Sequence, residues 1–128
     1  MSYHMHYDFL NTAIDVNATV EKVNGVDFNS KSINLRRVVD AAVSVTFTRI
    51  TGDGSDVEYG FEFSTDGINW DTVESMVIKV PSNASAVSNV VLKTSLHNLG
   101  GIFLIRLSRV KNGDAVNNIT DVNARISF

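Results

Sequence analysis

The chain lacks cysteine altogether and carries a single proline in its 128 residues. The absence of cysteine excludes a disulfide framework, a thiol nucleophile and any zinc site built on sulfur. Histidine is scarce as well. His4, His6 and His97 are the three, and none stands in an H-x-x-x-H or H-E-x-x-H pattern. No serine occupies a G-x-S-x-G elbow, and no glycine-rich phosphate or dinucleotide loop occurs. These gaps predict a non-enzyme with no cofactor. Basic charge is also short: 11 Lys and Arg face 14 Asp and Glu, a net charge of −3. Nucleic-acid binders cluster basic residues on one face, so no nucleic-acid partner is expected. No apolar run reaches the length of a transmembrane helix, and no membrane partner is expected either. The N-terminal Met1-Ser2-Tyr3-His4-Met5-His6-Tyr7 lacks the basic and apolar regions of a signal peptide, so export by that route is not expected.

What is present is an ordinary globular composition, 44% hydrophobic and 20% charged, at a length that suits one domain. The most informative stretch is Val57 to Trp70. Val57, Tyr59, Phe61 and Phe63 share one parity, and Glu58, Gly60 and Glu62 the other, as in a strand with one buried face. Ser64-Thr65-Asp66-Gly67 supplies a turn, and Ile68 and Trp70 restart the alternation, so the stretch predicts a β-hairpin. Ile14 to Val20 alternates and ends at the Asn24-Gly25 turn signal. Val43, Val45 and Phe47 alternate with Ser44, Thr46 and Thr48, and Thr51 to Asp56 is expected to fold that strand back into the central hairpin. Val73 to Val80 loses clean alternation near Met76-Val77-Ile78, which predicts a bulge or burial of both faces; Pro81 marks its end. Ser95 to Gly101 reads as one helical turn. Ile102 to Val110 starts apolar on both faces, as a central strand does. Lys111-Asn112-Gly113-Asp114 reads as a hairpin turn before Val122 to Phe128. About eight strands with turn signals between them predict an antiparallel β-sandwich, jelly-roll or immunoglobulin-like, without a long helix. Residues 1–10 are read as an N-terminal arm and 11–128 as the single sandwich domain.

Candidate sites are few. Tyr3, Tyr7 and Phe9 in the arm, with Arg36 and Arg37, are the candidates for subunit contacts. Asp66, Asn69 and Asp71 are weak calcium candidates, because calcium takes closely spaced oxygens, although the D-x-[DN]-x-[DN]-G order is absent. Trp70 is a candidate platform for a sugar ring, weighed against a role at the edge of the core. His97 reads as a surface or capping residue.

The segment Phe61 to Trp70 resembles the S-x-D-G-x-N-W hairpin of small β-sandwich proteins encoded by tailed bacteriophages. Ala42 to Gly52 is similar to the strand leading into that hairpin, and G-G-I-F-L-I-R-L and the terminal I-T-D-V-N-A-R-I-S-F are similar to later segments. The resemblance covers Ile33 to Phe128. It implies a non-catalytic virion component, a capsid decoration protein or a tail or fibre accessory, assembled in the host cytoplasm and homo-oligomeric. It carries over no catalytic residue. The rival reading is a carbohydrate- or surface-binding module, with a calcium-stabilised adhesion domain third.

Overall fold

The computed structural model describes residues 5–35, 38, 40–48, 51–72, 74, 76–83, 88–93 and 104–128. Ten strands form within them: β1 (His6–Asp8), β2 (Ile14–Val16), β3 (Glu21–Val23), β4 (Ile33–Asn34), β5 (Asp40–Thr48), β6 (Asp56–Ser64), β7 (Met76–Pro81), β8 (Ser88–Lys93), β9 (Leu104–Asn112) and β10 (Ile119–Ser127). One sheet runs β1-β10-β5-β8, with β2 also on β10; the other runs β3-β9-β6-β7, with β4 also on β9. Every pairing is antiparallel. The expected all-β sandwich is therefore present, with two more short strands than the turn signals announced.

The strand interiors follow the alternation. Val57, Tyr59 and Phe61 on β6 are fully buried, as are Val43 and Val45 on β5 and Val122 and Ile126 on β10. Burying one such side chain contributes about 1.5–3 kcal/mol. Tyr59 keeps its hydroxyl satisfied by donating to the Thr46 carbonyl at 3.0 Å. β9 departs from period two, because Leu107 and Val110, three apart, are both buried. A register shift explains it: Gly60 pairs with Arg109 but Phe61 with Leu107, so Ser108 bulges out.

Several expected connections are different. Ile14 to Val20 is not one strand. It breaks after Val16, and β2 and β3 belong to opposite sheets, with Thr19 in the left-handed region at φ 64°. β5 and β6 also lie in opposite sheets, so 51–55 is a crossing and not a hairpin turn. The same holds for β9 and β10. Of consecutive strands among the described residues, only β6 and β7 pair with each other, and their connection is long. Ile68 is 82% exposed and outside any strand, so the second strand begins at Met76 rather than Ile68. In β7 the alternation is clean, with Ile78 and Val80 buried and Val77 exposed; the expected bulge is not found. Val77 points to the face opposite Ile78 and Val80, away from the core.

The crossings from β2 to β3, β5 to β6, β7 to β8 and β9 to β10 are tied together by buried Asn112 and Asp114. Asp114 Oδ2 accepts from the Asp53 amide at 2.9 Å and from Ser82 Oγ at 2.9 Å. The Thr19 amide donates to the Asp114 carbonyl at 3.1 Å. Asn112 Nδ2 donates to the Val16 carbonyl at 3.2 Å and to that of Asn117 at 2.8 Å. Four chain passages between sheets would leave polar groups stranded, and the side chains of Asn112 and Asp114 with the Asp114 carbonyl satisfy several of them.

The N-terminal arm is also corrected. His6, Tyr7 and Asp8 pair with Ser127, Ile126 and Arg125. Phe9 is fully buried, with its ring edge-on to Phe61 at 5.3 Å. Leu10 is held by Asn123, whose Oδ1 accepts its amide and whose Nδ2 donates to its carbonyl. Residues 5–10 are thus an integral strand and core segment of the sandwich. A large aromatic with a buried slot available gains more there than in water.

Candidate functional site

The β6–β7 connection carries the motif that stood out in the sequence, and its geometry follows from three side chains. Ser64, nearly buried at the end of β6, donates through Oγ to the Asn69 carbonyl at 2.7 Å and accepts from the Gly67 amide at 2.8 Å. Asp66 Oδ1 accepts from the amides of Ile68 at 2.8 Å and Asn69 at 2.7 Å, while Oδ2 accepts from Asn69 Nδ2 at 2.7 Å. Gly67 takes φ +77°, where a β-carbon is disfavoured. The Asn69 and Ile68 amides hold the Asp66 carboxyl well below the usual carboxylate range. Asp71 Oδ2 accepts from the Phe63 amide at 3.3 Å, and the Asp71 amide donates to the Phe63 carbonyl at 3.2 Å.

This arrangement leaves little for a cation. The Asp66 oxygens and Asp71 Oδ2 already accept from the loop's own donors. Among the described residues no group of three His, Asp or Glu side chains is placed to hold a metal ion. The sequence spacing of Asp66, Asn69 and Asp71 is accounted for by turn formation alone.

Trp70 is half-buried and lies against the outer face of the second sheet, with the Arg106 guanidinium carbon 3.8 Å from its ring centroid. Arg106 Nε also donates to Glu62 Oε1 at 2.6 Å. Glu62 and Arg106 are paired across β6 and β9, so the strand register sets the geometry of the stack. One ring face, the surface a sugar would use, is covered by a cation that an ion pair holds in place.

Next to it a second clamp holds the same connection down. Glu74 Oε1 and Oε2 accept from Arg109 Nε at 2.9 and 3.0 Å, and Oε2 accepts from Ser108 Oγ at 2.6 Å. The bulge at Ser108 turns both donors outward. Gly60 makes room, since a β-carbon there would overlap the Glu74 carboxylate. Sequence reading missed Glu74, Arg106 and Arg109. A signal did exist: glycine inside an otherwise well-alternating strand marks the close approach of another group.

The remaining sequence candidates fall in three places. Phe9 is in the core and cannot present its ring to another subunit. Tyr7 is half-buried, with its ring 5.6 Å from Phe128, and stays accessible along one strand edge. Tyr3, Arg36, Arg37 and His97 lie outside the described residues, as does the helical turn expected at Ser95 to Gly101. No family model matches the chain, and no curated protein matches it.

Proposed function

We propose that this chain is a non-catalytic virion structural protein of a tailed bacteriophage, a capsid decoration protein or a tail or fibre accessory, acting through protein–protein contacts. The observation that carries the reading is how the S-x-D-G-x-N-W connection is used. Its serine, aspartates, asparagine and tryptophan are engaged with the connection itself and with the sheet beneath it. A module whose distinctive residues hold a loop in place offers partners its strand edges and sheet faces. Those are the surfaces a particle component uses. Homo-oligomerisation and assembly in the host cytoplasm belong to the same proposal.

The test is mass spectrometry of purified particles of the phage that encodes the chain, with electron microscopy of particles lacking it. The protein is expected in stoichiometric copies, with density lost at one defined surface in the deletion. Its absence from purified particles overturns the reading. The carbohydrate-platform alternative makes the opposite demand: glycan binding by the isolated protein that Trp70→Ala abolishes.

A further inference from the structure

We propose that two copies of this chain associate through their β1 edges, in an antiparallel β1–β1 pairing centred on Tyr7 with His6 of each copy facing Asp8 of the other. The register against β10 shows which backbone groups are free for this. Met5 and Phe128 exchange both backbone hydrogen bonds, at 2.8 and 3.0 Å, and the Phe9 amide donates to the Ala124 carbonyl at 2.9 Å. Met5 and Tyr7 therefore point their backbone groups toward β10, as Phe9 does its amide while its carbonyl accepts from Lys31, and His6 and Asp8 point theirs away. No described residue takes those outward groups. They form an open edge, the template on which another strand pairs.

The edges of β3 and β7 are protected. On β3 the outward groups of Val23 are capped from within: its amide donates to Asp27 Oδ2 at 2.7 Å, and its carbonyl accepts from the Asp27 amide at 2.9 Å. β7 ends on Pro81 and carries exposed Lys79, both of which discourage strand addition. β1 is short, itself a mild deterrent, but among the described residues its outward groups carry no internal cap and it holds no proline.

Charge complementarity selects a second copy as the occupant. In an antiparallel pairing with Tyr7 on the two-fold axis, His6 and Asp8 fall directly opposite each other, in pairs that exchange both backbone bonds. His6 Nδ1 is already 2.8 Å from Ser127 Oγ, which leaves Nε2 for the facing carboxylate. Asp8 Oδ1 accepts from Arg125 Nε at 2.9 Å, which leaves Oδ2. A row of Arg125, Asp8 and the second copy's His6 results, repeated by symmetry, as an isologous interface requires. On the inner side of the strand a cavity of about 290 Å³ lies between Tyr7, Ile33 and Phe128. Met5, opposite Phe128 and 47% exposed, supplies apolar area. The inference concerns the free protein and does not need the virion assignment.

The test is the mass of the full chain in solution, by light scattering behind a sizing column, for the wild type and three variants. The wild type is expected to be a dimer. His6→Pro removes an outward amide and the exposed His6–Ser127 side-chain contact but no hydrogen bond of the β1–β10 backbone ladder, so it is expected to keep the circular dichroism spectrum and lose the dimer. His6→Asp faces Asp8 with a like charge and is expected to weaken association tenfold or more. His6→Lys keeps the complementarity and the dimer. A wild type that is monomeric at every concentration overturns the proposal, even if the edge then accepts a strand from another protein. A folded His6→Pro or His6→Asp that stays as dimeric as the wild type also overturns it. If His6→Pro does not fold, the contrast between His6→Asp and His6→Lys decides.

Discussion

Two turns of this molecule are built from the same local chemistry and differ in what surrounds them. Asp66-Gly67-Ile68-Asn69 and Asp114-Ala115-Val116-Asn117 share the order Asp-x-x-Asn. In each, the Asp carboxylate accepts from the amides two and three residues on and from the asparagine Nδ2. Each leaves an apolar side chain in water, Ile68 at 82% and Val116 at 78% exposure. Asp66 is exposed and serves its own loop. Asp114 is buried, and its second oxygen binds Asp53 and Ser82 from other crossings. A similar turn is thus a local clip in one place, where the asparagine takes the second carboxylate oxygen, and the junction of four chain passages in the other, where it does not. The lesson is that an aspartate's structural weight comes from what its remaining lone pairs reach.

The comparison is broken most severely at Asp114. Asp114→Ala strips acceptors from the part-buried bonds of the Asp53, Val116 and Asn117 amides and from buried Ser82 at once, and donors left without partners away from water are costly. A drop in melting temperature on the order of 10 °C or more is expected, measured by scanning calorimetry. A loss no larger than that of Asp66→Ala would show the two turns to be equivalent.

Acid tests what the two turns share. Hydrogen bonds, that from the Val116 amide first, hold the Asp114 carboxyl well below its ordinary 3.8. The Asp53 carboxyl is also lowered, chiefly by Ser55. The unfolded chain binds protons at these groups before the folded one does. Stability is therefore full above the ordinary carboxylate range and falls as pH drops below about 3.8. The Asp66 carboxyl is lowered in the same way, so denaturation curves from pH 6 to pH 2 are expected to lose part of this acid slope in both Asp114→Ala and Asp66→Ala.

Smaller effects belong to the exposed turn. Asp66→Ala is expected to lower the melting temperature by only about 2–5 °C and to speed amide exchange in residues 63–71 while leaving β9 and β10 protected. Gly60→Ala tests the clamp over that turn, at a cost of about 1–3 kcal/mol as Glu74 is pushed off Arg109. Cost and displacement should vanish together in a Gly60→Ala, Glu74→Ala double variant relative to Glu74→Ala alone. Ile68→Ser and Val116→Ser are expected to change stability by less than about 0.5 kcal/mol each. A larger loss at Val116 would mean that the buried junction extends to its tip.

The alternation of Val57, Tyr59 and Phe61, of Val43 and Val45, and of Val122, Ala124 and Ile126 was legible as buried strand faces because side-chain direction repeats locally. The turn at Asp66-Gly67 was legible for the same reason, since its donors and acceptor lie within a few residues. The calcium and sugar readings of that turn arose from residue types whose partners were out of sight. Arg106 reaches Trp70 only through the β6–β9 register, and Asp66 is occupied by the loop's own amides. Phe9 looked like part of an arm because three polar or aromatic neighbours hide one buried ring. Asp114 looked like an ordinary hairpin residue because Asp53 and Ser82 are distant in sequence.

An all-β chain with alternating faces, turns at aspartate and glycine, and no thiol chemistry follows from residue order alone. Period, propensity and side-chain chemistry act over a few residues. Which strands share a sheet, where the chain crosses between sheets, and which of two similar Asp-x-x-Asn turns becomes the junction were decided in three dimensions. Those outcomes depend on hydrogen bonds and burial between segments tens of residues apart, for which a short window of sequence holds no trace.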